Sequence, residues 1–75
     1  MTASKHTEIR TYLMSGAGGT FEGEDSYDVV MQALSHSKIA GVSGEEFATV
    51  LKSYGIIPDF VRANNYRLVL PTANR

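Results

Sequence analysis

Arg62, Asn64, Asn65 and Arg67 are the side chains whose type and spacing most readily do chemistry in this chain. Two guanidiniums and two amides within six positions can grip a phosphate or a carboxylate by charge-assisted hydrogen bonds. Lys52, further upstream, adds a cation that a nearby helix would present. These five residues are the candidate binding set. Catalysis finds no such grouping. Ser15-Gly16-Ala17-Gly18-Gly19-Thr20 is glycine-rich, but it follows a helical pattern and has no lysine, whereas a phosphate loop follows a strand and carries one. It reads as a helix stop. Gly41-Val42-Ser43-Gly44 approaches a nucleophile elbow, yet Glu45 stands where a second glycine is required. Glu22, Glu24, Asp25 and Asp28 lack the alternation, central glycine and distal glutamate of a calcium loop. His6 and His36 lack the paired spacing of a zinc site. No metal, no cofactor and no enzymatic activity are therefore expected.

The elements that must position the binding set follow from periodicity. Ile9, Tyr12 and Leu13 mark a first helix, with Ser4 as its cap. Thr20-Phe21-Glu22 reads as a short extended stretch. Tyr27, Val30, Met31 and Leu34 form the apolar stripe of a second helix that starts near Asp25 or Ser26. Ser43-Gly44-Glu45-Glu46 is a capping box, flanked by Val42 and Phe47 as a hydrophobic staple. Phe47, Val50, Leu51 and Tyr54 continue the third helix, and Gly55 closes it with Ile56 folding back on Leu51. After Pro58 the period changes to two. Val61 and Ala63 alternate with Phe60 and Arg62, and Tyr66, Leu68 and Leu70 with Arg67 and Val69. A turn at Asn64-Asn65 makes a hairpin that sets Arg62 opposite Arg67, and Pro71 ends its second strand. Like charges facing each other there would destabilise the hairpin unless an anionic partner, or Asp59 or Glu22, relieved them. A helix from Pro58 to Tyr66 is the competing reading, since proline suits a first helical position.

The class is thus α+β: three helices, a short strand and a C-terminal β-hairpin. This order resembles a winged helix-turn-helix domain, with the hairpin as the wing. The resemblance implies DNA binding through Arg62 and Arg67. The stretch from Leu34 to Ser43 is longer than the tight turn of that motif. Asp25-Ser26-Tyr27 separately resembles the Asp-Ser-Leu motif of acyl carrier proteins, which implies Ser26 as the prosthetic-group residue. Tyr27 replaces the leucine.

Composition bounds the rest. The chain has 75 residues, enough for one small domain over 1–75, with 43% hydrophobic and 20% charged residues. It has no cysteine, so thiol chemistry and disulfides are excluded, and a cytoplasmic location is the simplest expectation. No apolar run is long enough to cross a bilayer and no signal peptide is visible. Net charge is −1, but residues 1–46 carry three cations against seven carboxylates, and 47–75 four cations against one. The third helix would lead with Glu45 and Glu46, which disfavours a polyanion. Protein–protein binding, including homodimerisation, is therefore the leading expectation and DNA binding the alternative. Phe60, Val69 and Tyr12 are expected to stay partly exposed in so small a domain.

Overall fold

A computed structural model describes residues 5–72. The expected Ser4 cap lies outside them. The elements are α1 (Lys5–Met14), β1 (Ala17–Gly23), α2 (Ser26–Ser37), α3 (Gly44–Ser53), β2 (Asp59–Arg62) and β3 (Asn65–Thr72). The strands form one antiparallel sheet in the order β1-β3-β2. The α+β class therefore holds.

α3 forms where its caps place it. The Ser43 hydroxyl accepts from the Glu46 amide at 3.1 Å. At the other end Gly55 takes φ 76, and the amides of Gly55 and Ile56 donate to Lys52 O and Leu51 O, both at 2.9 Å. This satisfies two carbonyls that the helix end leaves without partners, and the left-handed φ is what glycine accepts without a Cβ clash. Phe47, Val50 and Leu51 are buried, but Tyr54, expected in the same stripe, is exposed.

α2 departs further from its expected face. Its cap is Asp25, whose carboxylate accepts from the Asp28 amide at 2.8 Å, and Ser26 is the first helical residue. The buried residues are Val29, Val30, Ala33 and Leu34, while Met31 is half-buried and Tyr27 exposed. α2 packs against α3 on one side and against β1 and β3 on another. Two neighbours widen and rotate the buried arc relative to the stripe that one neighbour would select. Six residues, 38–43, join α2 to α3.

β1 is longer than the expected stretch and begins at Ala17 instead of Thr20. Gly18 and Gly19 are strand residues and not only a helix stop. Gly18 sits at φ 56, and a Cβ there would collide with Thr72 Cγ2 and stand 2.9 Å from Pro71 O. The glycine lets β1 lie against the end of β3. Leu68 and Leu70 of β3 point inward and complete one core with Ile9, Leu13, Val29, Val30, Ala33, Leu34, Phe47, Val50 and Leu51.

The C-terminal segment is a hairpin and not a helix, but its register is shifted. The turn is Ala63-Asn64, with Asn64 at φ 60, and Arg62 pairs with Asn65. A bulge lies between Phe60 and Arg62, so Phe60 pairs with Tyr66 and Asp59 with Arg67. The expected Arg62–Arg67 pairing does not occur. The earlier turn alone removes that pairing, and the extra residue at the bulge moves only the partners beyond Arg62. β3 also runs through Pro71 to Thr72. Pro71 lies past the end of β2, where its missing N–H breaks no β2–β3 bond.

Candidate interaction surface

Strand alternation sends the candidate binding residues to the outer, solvent-side face of the sheet. Arg62 of β2, and Asn65 and Arg67 of β3, converge there on Glu22 of β1. The Glu22 carboxylate accepts from Asn65 Nδ2 at 3.2 Å and Arg67 Nε at 3.4 Å, and Arg62 lies 4.0 Å away. Asp59 stands opposite Arg67 in the β2–β3 register. Two guanidiniums thus share the Glu22 carboxylate, and Asp59 on the same face brings its formal charge to zero. Asn64 stays apart on the exposed turn. The two arginines are not cross-strand partners, and β1 supplies Glu22 as a counter-charge to both.

Lys52 belongs to a different surface. It lines an open groove of about 180 Å³ between α2 and α3, with Ser26, Tyr27 and Val30 on one wall and Gly44, Glu45, Ala48 and Leu51 on the other. Ile56 and Pro58 close one side. The two helices approach closely at one end because position 44 has no side chain: a Cβ on Gly44 would stand 2.6 Å from the Met31 sulfur and 3.0 Å from the Tyr27 ring. Tyr27 is 61% exposed. Beside the groove, Ile57 is 62% exposed between its two lining neighbours. Phe60 is 57% exposed on β2, edge-on to Tyr66 with ring centroids 5.2 Å apart.

Sequence reasoning placed Tyr27 in the core and did not single out Ile57. One signal for Ile57 was present: Ile56 and Ile57 are adjacent in an extended segment before a proline, so their side chains must point to opposite sides. Phe60 and Val69 are exposed and Tyr12 half-buried, as expected.

A third cluster joins the helices to the sheet. The Tyr12 hydroxyl hydrogen-bonds His36 Nδ1, and the His36 ring meets the Phe21 and Tyr12 rings edge-on at 5.5 and 6.0 Å. Burial pushes the Tyr12 phenol above its ordinary 10.0. Among the described residues, no group of three His, Cys, Asp or Glu side chains is placed to hold a metal ion. No helix among them is long and apolar enough to cross a membrane. Ser26 stands exposed at the groove rim, one residue after the cap.

No family model, no curated protein and no solved structure matches this chain.

Proposed function

We propose that this chain is a small, non-catalytic protein-binding module that receives its partner in the α2–α3 groove. One observation carries the reading: the groove is walled by Tyr27, Val30, Ala48, Leu51, Ile56 and Pro58, with Tyr27 largely exposed at its rim. Large apolar side chains gathered at one concave place mark interaction surfaces, and partly exposed aromatic residues such as Tyr27 supply much of the binding energy in them. The order α1-β1-α2-α3-β2-β3 supports a winged-helix-like scaffold for the module.

DNA binding is the reading it displaces. The wing arginines already have Glu22 as a counter-charge, Asp59 lies opposite Arg67 in the register, and α3 leads with Glu45 and Glu46. A phosphate backbone would have to displace those carboxylates, which reduces the counterion release that drives such binding.

The test sets the two surfaces against each other. A photo-reactive amino acid replaces Tyr27 in one sample and Thr20, on the outer sheet face, in another. Adducts with another protein, or with a second copy, are expected from position 27 and not from 20. In parallel, no binding to random duplex DNA is expected at low salt. Micromolar duplex binding that weakens steeply with salt and falls again in the Arg62→Ala/Arg67→Ala variant would overturn the reading.

A further inference from the structure

We infer that the groove receives one face of a partner's amphipathic helix, seating one large apolar side chain between an acidic and a basic residue about two turns apart. This deepens the protein-binding reading and rests on it.

α3 contributes Gly44, Glu45, Ala48, Leu51 and Lys52 to the groove. Glu45 and Lys52 are its charged lining residues, and seven positions at 1.5 Å each put them about 10 Å apart along the axis. Between them only Ala48 and Leu51 of this helix reach the groove. Its two ends therefore differ in sign and its middle is apolar. The complementary ligand carries a cation against Glu45, an anion against Lys52 and an apolar group between. On a helix, residues at the first, fourth, fifth and eighth positions share a face and span the same distance.

The volume sets the size of the anchor. A cavity of about 150 Å³ accommodates benzene. The roughly 180 Å³ here fits one leucine- or phenylalanine-sized side chain.

Backbone chemistry favours a helix over a strand. The walls at Val30, Ala48, Leu51, Ile56 and Pro58 are apolar side chains, and Pro58 has no N–H. An extended ligand would bury unpaired amides and carbonyls against them, whereas a helix satisfies its own. Helix-in-groove docking uses this solution.

The experiment uses the full chain and helical peptides stiffened by a cross-link on the far face. One carries lysine and glutamate at the first and eighth positions with leucine at the fourth and fifth. Two others have both charges acidic or both basic. A last one keeps the mixed charges but replaces the leucines by alanine. Backbone amide shifts report the site. The mixed-charge leucine peptide is expected to move Ala48, Leu51 and Ile56. The two same-charge peptides are expected to bind about threefold to fivefold more weakly, the size of one exposed ion pair. Loss of the leucines is expected to weaken binding about tenfold or more. In Glu45→Lys, an exposed position, preference should pass to the doubly acidic peptide. Binding at the groove that ignores charge overturns the inference, and so does absence of shifts at Ala48 and Leu51 with every peptide. Neither result touches the broader protein-binding reading, which stands or falls on the adducts from position 27.

Discussion

On the outer sheet face, Arg62, Asn65 and Arg67 converge on the one carboxylate of Glu22. In the groove, Tyr27 is exposed and Ala48 and Ile56 are half-buried, and Glu45 and Lys52 stand about 10 Å apart along the helix axis. The sheet face is rich in charge and nearly saturated. The groove is poor in charge and unsaturated. Capacity for a partner follows from what the fold leaves unpaired and not from how many chemically able residues a segment contains.

Substitutions have graded effects on the stability behind the two surfaces. The largest belongs to Phe47, the biggest fully buried side chain, which lies on α3. Phe47→Ala is expected to remove about 3–5 kcal/mol, most of the stability of a chain this short, and both surfaces should vanish together in urea denaturation. Gly18→Ala acts on the sheet alone. It forces a side chain into a left-handed position against Thr72 and Pro71 O, and about 2 kcal/mol should be lost. If the groove then still binds its partner at temperatures below the lowered midpoint, the surfaces are separable. Asp25→Ala removes the cap of α2, one wall of the groove, and should lower stability by about 1 kcal/mol in the same assay.

Tyr12 tests the joint between the two regions. Its phenol keeps its proton in the fold past 10.0, where an unfolded chain begins to release it. Its contribution is complete below that pH and disappears as pH climbs through the raised folded value. Thermal melts should therefore show a midpoint that declines more steeply in alkali for wild type than for Tyr12→Phe. The smallest effect is expected at Glu22→Gln. Exposed ion pairs contribute little, so the change should stay under about 1 kcal/mol and shrink with salt. A loss of several kcal/mol there would show the sheet face to be the organising feature of the domain.

Much of the backbone was legible in the chain of residues. The α3 boundaries followed from Ser43 and Gly55 because caps are local chemistry, settled within one turn. The presence of a hairpin followed from the change of period after Pro58. Its register did not, because Asn64 and Asn65 are both able to take a left-handed φ and nothing local selects between them. The turn alone sets Arg62 opposite Asn65, so the arginine pairing was misread, and the bulge near Val61 displaces only the partners beyond it. Tyr27 was misplaced for a different reason. A helical stripe shows which residues are apolar, but only the positions of α3 and the sheet decide which arc of α2 is covered. Of the five candidate binding residues, Lys52 alone lines the groove. The groove itself needs Pro58 and Tyr27 to meet across more than thirty positions, and no local signal carries that.

The order β1-β3-β2 also bears on how the chain reaches its fold. β2 and β3 are joined by a two-residue turn, so their closure is fast. β1 must find β3 across both intervening helices: Glu22 and Arg67 are 45 positions apart. Closing so long a loop sacrifices chain entropy before its contacts return any free energy, so this pairing is expected to form late. Conservative substitutions at Phe21 should then accelerate unfolding while leaving the folding rate nearly unchanged, and substitutions at Tyr66 should slow folding. The Glu22 bridge would accordingly be a product of the last step of assembly, and the first feature to open when the domain comes apart.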